Sequence, residues 1–190
     1  MNNFRKLAIG FWICIILTGV MTYIARPAIF TPQNIAGLLV EFQNETLAVY
    51  LLLSILRGFT LLPSTPLVLA GTLMFPTQLW LVLAVSIFGI LVSSSVIFWF
   101  SDLLGISKFF ETRKPERVAK IRTRLERPTG LAFVFLWAFF PFVPTDAVCY
   151  VAGTTKMNFP KFIAAIFAGE MILCSLYVFA GSYVMTFWSA

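Results

Sequence analysis

Three ionisable residues stand inside stretches of this chain that are otherwise apolar: Arg57, Asp146 and Glu170. Charges in such settings are costly and usually functional, binding an ion or a polar group or relaying protons. Two of them sit beside a repeated set of helix breakers. The first copy runs Pro63-Ser64-Thr65-Pro66, Ala70-Gly71-Thr72, Phe75-Pro76; the second runs Pro141-Phe142-Val143-Pro144, Ala152-Gly153-Thr154, Phe159-Pro160. Arg57 comes six residues before the first Pro-x-x-Pro, and Asp146 two residues after Pro144. Apolar segments interrupted by Pro and Gly at matching places in two halves of a membrane protein point to a binding site near the bilayer midplane. Arg57 offers a planar fork of donors suited to a lipid phosphate, with Asp146 as its counter-ion while the site is empty. A structural ion pair that pins the two tips together is the competing reading, and both readings bring the residues into contact. Glu170 either titrates or faces a wet cavity. Thr145 and Tyr150 can hydrogen-bond a headgroup, although a tyrosine in such a place is more often a packing residue.

Other chemistry is thinly represented. The chain has no histidine, which removes the commonest metal ligand and the usual general base near neutral pH. Cys14, Cys149 and Cys174 lie singly in apolar runs, without a Cys-x-x-Cys pair. No nucleophile is spaced beside a base. The expectation is no catalytic residue, no metal and no cofactor: the protein is not an enzyme.

The elements that would position these residues belong to a membrane protein. Of 190 residues 59% are apolar and only 12% charged, with a mean hydropathy of +0.91. Soluble domains hold about 45–50% apolar and about 25% charged residues. Leu7 to Ile24 forms an N-terminal apolar run behind Arg5 and Lys6. It is long for a signal sequence and lacks a clean small-x-small site, so an uncleaved transmembrane helix is expected. Residues 1–46 thus comprise this helix and an interfacial segment, with Ile35 to Phe42 as a helix lying at the surface. Residues 47–76 are too many for one span and too few for two, since a span takes about 20 residues. They are expected to enter and leave on the same side as a re-entrant hairpin. Gln78 to Phe100 is a clean span with Trp80 and Trp99 at its ends, where aromatic belts belong. Residues 130–155 form the second hairpin and 162–187 the last span. Pro63, Pro66, Pro141 and Pro144 leave backbone groups that hydrocarbon cannot satisfy, so the hairpin tips must be buried in protein. Gly71 and Gly153 allow close helix approach.

The linker 101–129 carries eight Lys or Arg against four acids, a net +4. Pro115-Glu116 reads as a helix start, and Val118, Ile121 and Leu125 recur at helical spacing. This basic amphipathic helix either lies on an anionic membrane surface or is a solvated loop obeying the positive-inside rule. Arg5 and Lys6, the linker, and Lys156 with Lys161 all fall on the cytoplasmic side only if each broken segment returns to the side it entered. Re-entrant hairpins then have opposite orientations; two full helix crossings in each would give the same parity. The expected fold is an all-α membrane protein: an inverted repeat of two re-entrant helical hairpins, each followed by a transmembrane helix, plus an N-terminal transmembrane helix.

Arg57-Gly58-Phe59-Thr60-Leu61-Leu62-Pro63-Ser64-Thr65-Pro66, with Ala70-Gly71 and Phe75-Pro76, resembles the first hairpin of the DedA superfamily, also called the SNARE-associated or VTT domain. Phe140 to Asp146, with Tyr150-Val151-Ala152-Gly153 and Phe159, resembles its second hairpin. The resemblance covers roughly residues 47–187. It implies re-entrant hairpins in inverted arrangement and lipid movement between leaflets: scrambling in eukaryotic members, undecaprenyl-phosphate recycling in some bacterial ones. The match departs from many bacterial members, which carry an acid in the first hairpin and arginines in the second. Here the signs are exchanged, Ala138 occupies a place often held by arginine, and the chain is more similar to the branch named after yeast Golgi proteins.

The expected function is movement of phospholipid or polyprenyl phosphate between leaflets through a site between the hairpins. The alternative is a non-transporting structural or interaction protein serving membrane homeostasis. Membrane lipids with anionic headgroups are the expected partners, with no nucleic acid and with homo-oligomers left open. The bacterial cytoplasmic membrane is the expected location.

Overall fold

A computed structural model describes residues 3–103, 115–141 and 143–181. Every regular element among them is helical. In chain order these are α1 (Asn3–Ala25), a short turn of helix at Pro27–Phe30, α2 (Pro32–Val40), α3 (Thr46–Leu56), a tight turn of helix at Arg57–Thr60, α4 (Thr65–Met74), α5 (Leu79–Leu103), α6 (Pro115–Leu125), α7 (Pro128–Phe139), α8 (Thr145–Thr154) and α9 (Phe159–Ser175). A π-helical turn, Leu176–Ala180, extends α9.

Proline sets most of the boundaries. Pro32, Pro66, Pro128 and Pro160 occupy first-turn positions of α2, α4, α7 and α9, where the missing N–H is not needed. Thr31 caps α2 by accepting from the Asn34 amide, and Asn158 caps α9 by accepting from the Lys161 amide. Helix α3 stops short of Pro63, and Leu61 there takes a left-handed conformation with φ 57°. Helix α7 stops at Phe140, ahead of Pro141.

Two helices, Leu79–Ser101 and Phe159–Ala180, are long and apolar enough to cross a membrane; Gly10–Ala25 is a shorter apolar helix. The last helix begins three residues before the expected Phe162, because Asn158 and Pro160 start it early. The expected end of that span at Phe187 lies outside the described residues, as does most of the linker 101–129 before Pro115. The surface helix expected at Ile35 to Phe42 occurs as α2 and packs on α4.

Helix α5 is the central post. It packs against α3, α8 and α9, and α4 lies against its first half. Its Val82, Ile90 and Ile97 pack in one core with Val148, Cys149, Phe162 and Ile166, all buried. The two Ala-Gly-Thr segments dock on α5 at opposite ends. A Cβ on Gly71 would lie 2.9 Å from the Val82 side chain, whereas one on Gly153 would run into the backbone of Phe98. Sixteen residues separate those contacts, about 24 Å along a helix rising ~1.5 Å per residue. Helix α9 packs on α7, and its π-helical end reaches across to α4.

Candidate functional site

The site is assembled where the break after α3 meets the start of α8. Arg57 lies at the end of α3, two helical turns from Tyr50 and one from Ser54, so the three share one face. That face meets α5, where Ser86 and Ser93 are likewise two turns apart. The Tyr50 hydroxyl and Ser86 Oγ are 2.7 Å apart, both fully buried. Gly58 lets the chain pass between α5 and Asp146: a Cβ there would meet the Ser93 side chain at 2.8 Å and Asp146 Oδ1 at 3.0 Å.

From the other side, α8 presents Asp146 in its first turn, where the partial positive charge of the helix N-terminus favours an acid. Arg57 Nη1 donates to Asp146 Oδ2 at 3.2 Å and to the Leu62 carbonyl at 3.1 Å. The same nitrogen therefore holds the partner hairpin and the left-handed bend of its own. Arg57 is 9% exposed and Asp146 1%. The second half of each group is unused: Arg57 Nη2 and Asp146 Oδ1 are buried and have no hydrogen-bond partner. An unsatisfied buried polar atom costs about 1–3 kcal/mol, and more when charged.

Glu170 joins the same cluster at one remove. Thr145 Oγ1 donates to Glu170 Oε1 at 2.5 Å, and Cys174 Sγ lies 3.7 Å from Oε2. Glu170 is fully buried, so of the two expected settings the wet cavity is not what surrounds it. Thr145 adjoins Asp146 in sequence and so links the two acids. The buried cluster thus holds Arg57 against Asp146, with Glu170 joined to it through Thr145.

Tyr150 lies one helical turn after Asp146 on α8. Its ring meets the Trp12 indole of α1, which also packs edge-on against Phe59 and contacts Phe100. The tyrosine is built into an aromatic joint between α1, α5 and α8. Pro63 and Pro66 flank the tip of the first hairpin. Pro144 caps α8, and its carbonyl accepts from Trp137 Nε1 at 3.2 Å. Among the described residues no group of three or more His, Cys, Asp or Glu residues could hold a metal.

Sequence reasoning passed over Tyr50, Ser54 and Ser86. Their signal was available: Tyr50, Ser54 and Arg57 follow the i, i+4, i+7 spacing of one helix face, and the residues between them are all Leu or Ile.

With this geometry in view, the chain can be placed among known proteins. Residues 62–183 match the VTT domain. The chain belongs to that family. The VTT domain is the domain of the DedA or SNARE-associated superfamily, and the protein is accordingly a membrane protein. No curated protein and no solved structure matches it. Within the VTT domain lie Thr145, Asp146, Tyr150 and Glu170, together with Pro63, Pro66, Gly71, Pro141, Pro144 and Gly153. Arg57 precedes its first matched residue.

Proposed function

We propose that this VTT-domain protein moves lipids with anionic headgroups, phospholipid or polyprenyl phosphate, between the leaflets of the bilayer. One observation carries the reading: a buried arginine between two broken hairpins engages only half of its donor fork. Guanidinium binds phosphate bidentately with both nitrogens. Arg57 Nη2 is unpartnered, and Nη1 has a carboxylate that a phosphate can replace. With Asp146 and Glu170 close by, the phosphate is held weakly. A carrier needs such a balance, because its ligand must enter and leave.

The docking of the two Ala-Gly-Thr segments at opposite ends of α5 supports two re-entrant hairpins in inverted arrangement, meeting near the midplane. In this reading the protein is a carrier rather than an enzyme and resides in a bacterial cytoplasmic membrane. Its N-terminus and basic linker face the cytoplasm, and lipids are its partners.

The test is leaflet exchange on purified protein in liposomes containing labelled phospholipid or labelled polyprenyl phosphate. Wild type is expected to exchange at least one of the two, and Arg57→Gln to lose that exchange. A wild type no faster than empty liposomes with either lipid refutes the reading.

The sharing of Nη1 between Asp146 and the Leu62 carbonyl favours a second reading, in which the pair only pins the hairpins. The double variant Arg57→Asp/Asp146→Arg separates the two. A pin restores both folding and exchange, whereas a headgroup site restores folding alone, because the arginine then approaches the phosphate from the wrong tip.

A further inference from the structure

A cavity lies beside hairpin one, walled by residues of α1 to α4. It holds about 360 Å³, within the ~300–1,000 Å³ of small-molecule sites. Its walls come from the end of α1, the 27–30 turn, α2, α3 and the proline tip, with Phe30, Leu38, Phe42, Leu53 and Pro63 among them. Arg57 is the one charged residue in that wall. Leu38, Phe42 and Leu53 are exposed at its rim, so the cavity opens sideways toward the surroundings of the protein.

We infer that this cavity receives one acyl chain of an anionic phospholipid whose phosphate is drawn to the Arg57 guanidinium, while the second chain stays in the bilayer. The inference rests on the reading of Arg57 given above and adds the part of the ligand that reading leaves undefined. Two features select the occupant. An apolar wall that includes one arginine complements a molecule that is hydrocarbon along its length and anionic at one end. The volume then decides between kinds of chain. At ~30 Å³ for each water-sized group, it seats roughly a dozen methylenes. That is most of one acyl chain and only a fraction of a long polyprenyl.

The cavity is not a feature of the matched domain. Most of its wall, including Phe30, Leu38, Phe42, Leu53 and Arg57, precedes residue 62. The segment from Pro27 to Phe42 folds over the first hairpin and makes a socket there. The capping of α2 by Thr31, with Asn34 Nδ2 donating to the Ala28 carbonyl at 2.6 Å, holds that cover in place.

The full chain in phosphatidylcholine nanodiscs, photolabelled with tail-diazirine phosphatidic acid or with tail-diazirine diacylglycerol of the same chains, tests the inference. Labelled residues are read by mass spectrometry. Phosphatidic acid should mark Phe30, Leu38, Phe42 and Leu53 about tenfold more than the exposed Leu17, Trp80 and Leu136, the excess that ~1.4 kcal/mol of headgroup binding produces. Diacylglycerol, lacking the phosphate, should show no excess, and Arg57→Gln should reduce phosphatidic acid to that pattern. Leu38→Trp at the exposed rim should fill the socket and lower the excess; it leaves the buried cluster untouched, so the protein still folds. Equal labelling of socket and outer surface, or an equal excess with both lipids, overturns the inference. Leaflet exchange measured on the same samples keeps the two readings apart. Socket labelling without exchange retains the chain site and removes the transport reading, while exchange without socket labelling does the reverse.

Discussion

The two hairpins share a sequence pattern and differ in how tightly they are closed. In hairpin two, Trp137 Nε1 ties the loop through the Pro144 carbonyl, Asp146 is 1% exposed, and Thr145 locks onto Glu170. Hairpin one has Leu61 in a left-handed conformation, spends half of Arg57 on the bend itself, and opens beside a cavity. A repeat that looked symmetrical on paper has become a fixed half and a receptive half. The two also differ in what they contact: hairpin two packs on α5 and α9, hairpin one on α5, α1, the short cover α2 and only the π-helical end of α9.

The sharpest way to break this contrast is to remove each member of the ion pair in turn. Truncating one partner of a buried pair costs about 3–5 kcal/mol. Asp146→Ala should sit at the upper end, because a guanidinium cannot shed its proton, while the carboxyl left by Arg57→Ala can be neutralised by taking one up. Thermal unfolding in detergent should rank Asp146→Ala below Arg57→Ala. The opposite order would mean that hairpin one, not two, is the fixed half.

The paired glycines give the next largest effect. Gly153→Ala pushes a methyl into the Phe98 backbone, and overpacking of this kind costs about 1–3 kcal/mol. Gly71→Ala meets the movable Tyr50 and Val82 side chains and should cost less. Equal losses of melting temperature would remove the distinction between a rigid and a yielding contact with α5.

Thr145→Val removes the donor to Glu170 and strands a buried oxygen, for about 1–3 kcal/mol. A melting temperature unchanged by this substitution would show that the two acids are not joined through Thr145. Trp137→Phe should be mildest, near 0.5–1.5 kcal/mol for one hydrogen bond. Its signature is faster hydrogen exchange at residues 140–146 with little change in melting, and protection as strong as wild type would contradict the proposed role of the indole in closing hairpin two.

Much of this was legible in the sequence because proline and apolar length act locally. Pro63 and Pro141 mark helix breaks, and the run from Gln78 to Phe100 declares a span whatever surrounds it. The approach of Arg57 to Asp146 could be read as well, since opposite charges in apolar stretches lower each other's cost. What stayed hidden depends on distant packing. Nothing near Tyr150 says that Trp12, far away in sequence, will receive its ring. Nothing near Glu170 names Thr145 as its donor. The socket needs the end of α1, α2 and hairpin one at once, and residues 27–42 alone read only as a surface helix. The stripe Tyr50, Ser54, Arg57 was visible and was missed because the lone charge drew attention from its polar neighbours.

Arg57 stands five residues upstream of the matched domain, which begins at residue 62. The unit of descent and the unit of folding therefore have different borders. A fragment trimmed to residues 62–183 would keep Asp146 and Glu170 and discard Arg57, so the two acids could remain in the interior only by taking up protons.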